Sequence, residues 1–128
     1  MTVVVTAAVI EFAGTFLVTR RQLGVHLEGF WEFPGGKRDE GESLEECLRR
    51  ELHEELDVEA RIGAEIFTTT HDYPERTVEL HFFACELLGV PRPVFGQEMR
   101  WVPKELLASL PFPPADAALI AQLTGGTA

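Results

Sequence analysis

The chain changes rhythm several times, and each change marks an element. Thr2–Ile10 (TVVVTAAVI) is rich in Val and Thr and closes at Glu11, which predicts a strand. A turn at Ala13-Gly14 leads to a second strand, Thr15–Arg20. Gln22–Gly29 reads as a loop and Phe30–Phe33 as a short extended piece. Pro34-Gly35-Gly36 then breaks regular structure, because proline fixes φ and glycine reaches conformations that other residues avoid. At Ser43 the period becomes helical. Leu44, Leu48, Leu52 and Leu56 recur at every fourth position, and Ser43-Leu44-Glu45-Glu46 fits a capping box, so a helix runs to about Leu56. Two longer strands follow, Glu59–Thr70 and Thr77–Leu88, joined by a turn at Asp72-Tyr73-Pro74-Glu75. The Pro/Gly-rich stretch Gly89–Gly96 connects to a short strand, Met99–Val102. Pro103 suits the first turn of a brief helix, Lys104–Leu110, and Pro113-Pro114 precede a last helix, about Ala115–Leu123. Thr124–Ala128 reads as a frayed tail. Without a repeat, a low-complexity tract or a linker, residues 1–128 are expected to form a single mixed α/β domain.

Composition narrows the class. At 128 residues, with 45% hydrophobic and 25% charged, the chain falls in the range of ordinary globular domains that bury a core without disulfides. Thr2–Ile10 is too short for a membrane span and lacks the basic flank and cleavage site of a secretory signal. Cys47 and Cys85 make neither a disulfide framework nor a zinc cluster, so both are expected to pack in the interior of a cytoplasmic protein. The formal net charge of −10 argues against nucleic-acid polymers as partners. It leaves room for one phosphorylated small molecule, provided cations mediate the contact.

The acidic segment RELHEEL, residues 50–56, carries the candidate chemistry. Glu51, Glu54 and Glu55 fall within roughly one third of the helix circumference, beside the leucine stripe that would dock the helix on a sheet. Their mutual repulsion costs a few tenths of a kcal/mol per pair in water (~0.2–0.5), which a solvated acidic face tolerates. The flanking residues favour a chemical role instead. Gly35-Gly36-Lys37 can bring backbone groups close to a ligand, and Glu42 and Arg50 can brace loop against helix as an ion pair. Convergent carboxylates with phosphate oxygens suit Mg²⁺, a hard cation that keeps several waters. A zinc-protease reading of His53-Glu54-Glu55-Leu56-Asp57 fails because Asp57 stands where a second imidazole is required. His26, His71 and His81 have no ligand spacing.

Gly36-x5-Glu42-x7-Arg50-Glu51-Leu52-x-Glu54-Glu55-x-Asp57-Val58 resembles the Nudix box, G-x5-E-x7-R-E-U-x-E-E-x-G-U with U aliphatic, and departs from it only at Asp57. Thr19-Arg20-Arg21, Trp31–Lys37 and Phe112-Pro113-Pro114-Ala115-Asp116 resemble the MutT branch. The resemblance implies a Nudix fold, an α/β/α sandwich around a mixed β-sheet. It also implies Mg²⁺-dependent hydrolysis (Mn²⁺ substituting) of a nucleoside triphosphate, with water attacking the β-phosphorus to give the monophosphate and pyrophosphate. By the same resemblance Gly36 offers its carbonyl, Glu51, Glu54 and Glu55 ligate metal, and Glu51 takes the proton of the attacking water. Glu42 and Arg50 are braces, while Arg21, Lys37 and Arg76 contact phosphate. Phe33 and Tyr73 wall the base, and Asp116 recognises it.

Two departures have consequences. Asp57 replaces a glycine that would sit in a left-handed cap, at a cost of up to about 1 kcal/mol. Phe95 stands before Gly96-Gln97 where relatives commonly place a glutamate, which makes Glu98 the expected substitute ligand. An ionised Asp116 only accepts hydrogen bonds, whereas a protonated one also donates. The MutT resemblance puts an oxidised guanine nucleotide such as 8-oxo-dGTP first as the expected substrate, in cleansing of the nucleotide pool, whereas the acceptor-only chemistry of an ionised Asp116 favours the alternative. A cytidine nucleotide pyrophosphatase is the alternative. Rivals of other classes are a nucleotide-binding module without turnover and a protein-interaction domain using the acidic helix. Monomer and homodimer both remain open, and no membrane partner is expected.

Overall fold

The structure is a computed structural model that describes residues 1–25 and 27–125. His26 and the last three residues of the expected tail lie outside the described residues. Seven strands appear in chain order: β1 (Thr2–Phe12), β2 (Thr15–Arg20), β3 (Trp31–Glu32), β4 (Gly35–Lys37), β5 (Ala60–Tyr73), β6 (Arg76–Leu87) and β7 (Met99–Pro103). Helix α1 (Leu44–Leu56) lies between β4 and β5, and α2 (Ala117–Leu123) ends the described fold. The sheet is mixed. β1 runs parallel to β6 from Thr2↔Thr77 to Ile10↔Cys85, while β5–β6, β1–β4, β1–β2, β2–β3 and β2–β7 are antiparallel.

Alternation along β1 divides the core. Ala7 and Val9 face one side with Phe16, Val18, Phe33, Phe82 and Leu119, and Ala8 and Ile10 face the other with Leu17, Leu48, Leu52 and Leu56. Helix α1 covers the second layer and α2 the first, so the middle of β1 is buried on both faces and, apart from Thr6, is apolar from Val3 to Ile10. This is the α/β/α sandwich expected from the sequence.

Five elements differ from expectation. Gly35-Gly36-Lys37 is not a break but strand β4, paired with β1 through Thr6↔Gly36 and Ala7↔Gly35. The pairing depends on glycine, because a Cβ at Gly35 would lie 2.0 Å from the Thr6 carbonyl oxygen. The helix expected over Lys104–Leu110 is 3₁₀, Lys104–Ser109, with Pro103 as its cap rather than inside its first turn. The last helix opens with a 3₁₀ turn, Pro114–Asp116, before α2. β5 and β6 extend to Tyr73 and Arg76, so the turn between them tightens to Pro74-Glu75. Among the described residues no helix is long and apolar enough to cross a membrane.

Candidate active site

The N-terminus of α1 is fixed as the sequence implies. Ser43 Oγ accepts from the Glu46 N–H at 3.0 Å, and Glu46 Oε1 accepts from the Ser43 N–H at 2.8 Å. Leu48, Leu52 and Leu56 are fully buried against the sheet, which turns Glu51 and Glu55 toward its rim beside β4. At the other end, Asp57 takes the left-handed cap (φ 50°, ψ 46°) and pairs with Arg92 at 2.9 Å. A cation from the following loop thus offsets an unfavourable negative charge at a helix C-terminus.

Arg50 ties the site together. Its Nε donates to Glu42 Oε2 at 2.6 Å, and its Nη2 donates to Glu42 Oε1 at 2.9 Å and the Lys37 carbonyl at 3.1 Å. The hydrogen bond from Arg50, followed by one from the Asp39 N–H, holds the Glu42 carboxyl down at about 2. Arg50 Nη1 also donates to Glu51 Oε1 at 2.9 Å and Glu54 Oε1 at 3.2 Å. The brace therefore acts on the cluster itself as well as on the loop.

Glu51 lies against the Gly36 peptide. A Cβ at position 36 would sit 2.4 Å from the Glu51 carboxyl carbon, so only glycine leaves room for this carboxylate. The Gly36 carbonyl accepts from the Cys47 thiol at 3.6 Å, and Cys47 Sγ lies 3.2 Å from Thr6 Oγ1. Burial raises the Glu51 carboxyl above the ordinary range, and Arg50 opposes that shift. Glu55 is pushed further, up to about 9, by burial first and then by the charges of Glu32 and Glu51. Its Oε2 is sealed from solvent and has no hydrogen-bond partner. Glu54 stands half-exposed at the rim.

Among the described residues no three acidic, histidine or cysteine side chains stand in a ready-made cation cage, and Arg50 takes up oxygens of Glu51 and Glu54. The donor set nevertheless fits a hard divalent cation. It consists of oxygen atoms, it leaves one buried carboxylate oxygen without a partner, and it lies in a cradle that a Cβ at Gly36 would fill.

A cavity of about 230 Å³ opens beside Gly36. Arg21, Phe33, Lys37, Tyr73, Arg76 and Asp116 all line it, although they come from four separate stretches of the chain. Val78, Leu80 and Phe82 add apolar wall from β6. Phe33 is also core, with its ring stacked on Phe112 at 5.4 Å between centroids. Asp116 is buried, with 5% of its surface exposed. Burial, then the charge of Glu32, raises its carboxyl to about 7. The Tyr73 hydroxyl is raised by burial and by the nearby Asp116 charge, with Arg21 opposing.

The structure does not bring Glu98 to the cluster. It is exposed, with Oε1 3.3 Å from Arg20 and Oε2 2.9 Å from Arg100. The loop instead sends Gln97 inward: its Oε1 accepts from the Phe95 N–H at 2.9 Å, and its Nε2 donates to the Glu55 carbonyl at 3.0 Å. Sequence reasoning also passed over Glu32. It accepts from Arg21 Nη1 at 2.8 Å and lines both the larger cavity and a second one of about 150 Å³ that contains Glu55. Its own carboxyl is raised by burial against the pull of Arg21. The signal was present, since a glutamate between Trp31 and Phe33 in an extended piece must point away from the layer those aromatics enter.

Comparison with known proteins gives the family and the fold. The NUDIX domain model matches residues 5–122. An 8-oxo-dGTP diphosphatase of Haemophilus influenzae is 38% identical over 89% of this chain and 85% of its own length. A CTP pyrophosphohydrolase of Escherichia coli is 33% identical over 91% of this chain and 87% of its own. Among solved structures, that of the E. coli ORF135 protein superimposes with a TM-score of 0.85 at 31% identity, covering 99% of this chain and 91% of that one.

Proposed function

The chain belongs to the NUDIX domain family, and from that premise we propose that it is a MutT-like hydrolase converting a nucleoside triphosphate and water to the monophosphate and pyrophosphate. 8-oxo-dGTP is the first candidate substrate, since relatives carrying that activity in their names match most of the chain. The observation that carries the reading is the junction of two features at Gly36. Half-buried carboxylates, one with a sealed and unpartnered oxygen, stand on one side, and a cavity of nucleoside size with three cationic side chains opens on the other.

Mg²⁺ is the proposed cation, with Mn²⁺ as a substitute, held by Glu51, Glu54, Glu55 and the Gly36 carbonyl. When bound it neutralises phosphate oxygens and lowers the pKa of the attacking water. Arg21, Lys37 and Arg76 line the cavity where they can hold the phosphate chain against the carboxylates. Glu51 is the proposed general base at the β-phosphorus. The bond from the β-phosphorus to the α,β-bridging oxygen breaks, the nucleoside monophosphate is the leaving group, and the β- and γ-phosphates with the water oxygen form pyrophosphate. Arg50 and Glu42 keep Glu51 in place, so they act as positioning residues.

Asp116 gives specific support to a second reading. A carboxyl poised at about 7 is protonated below that pH and can then both donate and accept, as an oxidised guanine requires. Above that pH it only accepts, which suits the amino group of cytosine, and a relative named CTP pyrophosphohydrolase lies at similar distance. Pyrophosphate release from a panel of nucleotides, with and without Mg²⁺, tests both. Faster turnover of 8-oxo-dGTP than of dCTP or CTP supports the first reading. The reverse order establishes the second, and metal-dependent binding without turnover would replace both by a binding module.

A further inference from the structure

Between the nucleoside cavity and the smaller cavity beside Glu55 stands a wall to which Arg21 and Glu32 both contribute. Glu32 reaches it from β3, and its contact with Arg21 Nη1 is made through Oε1 at 2.8 Å. Only a quarter of the Glu32 side chain is exposed (25%). Helix α1 delivers Glu55 to the lining of the smaller cavity, and its Oε2 is sealed and unpartnered. Two carboxylates from elements far apart in sequence thus share a cavity of about 150 Å³. A water occupies about 30 Å³ of liquid, so this volume holds a cation with part of its hydration shell. Phe95 and Val25 form the apolar side of the cavity, and Gln97 pins the Phe95 loop to the last turn of α1. Glu32 and Glu55 repel one another, and Glu51 adds to the repulsion.

We propose that Glu32 is a further ligand of the divalent cation held at Glu55, so that β3 as well as α1 closes the metal site. This rests on the hydrolase reading above and deepens it. Partner exchange makes the step electrostatically even. Arg21, at the shared wall, leaves Glu32 for a phosphate oxygen as Glu32 leaves Arg21 for the cation, and neither charge is stranded in a partly buried site. The same geometry says where a replacement works: Phe95 lines the same cavity, so a carboxylate installed there stands beside Glu55 as Glu32 does.

The test is Mn²⁺ titration of the nucleotide-free protein, following free Mn²⁺ by EPR, beside pyrophosphate release by the same preparations. Glu32→Gln should weaken Mn²⁺ binding on the order of 10–100-fold, and Glu32→Gln with Phe95→Glu should restore affinity toward wild type. Unchanged Mn²⁺ affinity in Glu32→Gln overturns the proposal. That outcome accompanied by a raised KM for nucleotide would assign Glu32 to holding Arg21 instead. Melting in metal-free buffer verifies folding, and if Glu32→Gln does not fold, Glu32→Asp carries the comparison, with weaker Mn²⁺ binding expected. A wild type that hydrolyses nucleotide while Glu32→Gln binds Mn²⁺ normally sinks this inference alone. A wild type with neither Mn²⁺ binding nor turnover sinks the hydrolase reading with it.

Discussion

Glu55 is half-buried and Asp116 buried, and both carboxyls are raised well above their ordinary range, yet they sit in opposite chemical settings. Glu55 is surrounded by Glu32 and Glu51, and one of its oxygens has no partner. Asp116 borders a cavity with apolar and aromatic walls, Glu32 is the acid that bears on it, and its carboxyl rests near neutrality. Repulsion of the first kind grows with each acid added, so a divalent cation relieves it far better than one proton does. Desolvation of the second kind is relieved by a single proton, which also changes what the group can recognise. On the proposed reading, the Glu55 end handles the metal and the Asp116 end selects the base.

The two ends should therefore fail differently. Glu51→Gln is expected to lower kcat by about 10²–10⁴-fold, the range for loss of a general base, with the ranking of nucleotides unchanged. Glu54→Gln should also lower kcat by orders of magnitude while the melting temperature in metal-free buffer stays near wild type. Steady-state kinetics on two nucleotides decide the matter: a variant that reorders substrates would show that the ends are not separable. Gly36→Ala comes next. Its new Cβ falls 2.4 Å from the Glu51 carboxyl carbon, so that side chain must move, and a misplacement on the order of 1 Å costs about 10²-fold in rate. Wild-type kcat in Gly36→Ala would show that Glu51 need not lie where the structure puts it.

Asp116→Asn probes the selective end with a smaller change. The carboxyl is raised to about 7 in the folded chain from an ordinary value of 3.8, so the folded state holds a proton that the unfolded state has released across that window. Its contribution to stability is complete below the lower value and is lost as pH rises toward the upper one, with a slope of at most about 1.4 kcal/mol per pH unit. Asp116→Asn should remove that slope from a comparison of melting curves at pH 5 and pH 7, and should remove any change in nucleotide ranking over the same range. A variant with the wild-type pH slope would place the titrating group elsewhere. Since an amide both donates and accepts at every pH, the variant should favour 8-oxo-dGTP over dCTP more strongly than wild type at pH 8.

The same contrast explains what the sequence could and could not tell. The carboxylate end is a helix with its cap, its leucine stripe and a short loop, so local periodicity and spacing place Glu42, Arg50, Glu51, Glu54 and Glu55 together. The other end combines the β5–β6 turn, which carries Tyr73 and Arg76, with Phe33 between β3 and β4 and Asp116 just before α2, segments far apart along the chain. Spacing along the chain does not encode such contacts, and those residues were reached through resemblance. Glu32 and Glu98 show the limit most clearly. Glu98 is nearer in sequence to the position lacking an acid, but strand β7 and its neighbours leave it beside Arg20 and Arg100. Glu32 is remote in sequence, yet β3 sets it on the wall of the cavity that holds Glu55. Gly35-Gly36 misled for a related reason: flexible residues look like a break until a partner strand is known to need their missing Cβ.

The smallest expected effect concerns Asp57, at the far end of α1 from its capping box. A left-handed non-glycine residue costs up to about 1 kcal/mol, so Asp57→Gly gains stability at that position. The same change removes the ion pair with Arg92, which is exposed on both sides and contributes roughly 0–1 kcal/mol. The loop keeps its backbone anchors, the Arg92 N–H to the Leu56 carbonyl at 2.8 Å and the Val94 N–H to the Glu55 carbonyl at 3.0 Å. These two contributions nearly cancel, and neither touches the carboxylates or the nucleoside cavity. Asp57→Gly should therefore shift the urea midpoint only slightly and leave kcat and KM at wild-type values. A loss of activity there would mean that the Arg92 pair holds the loop carrying Phe95 and Gln97 in register with Glu55. The cap would then be part of the carboxylate end rather than its boundary.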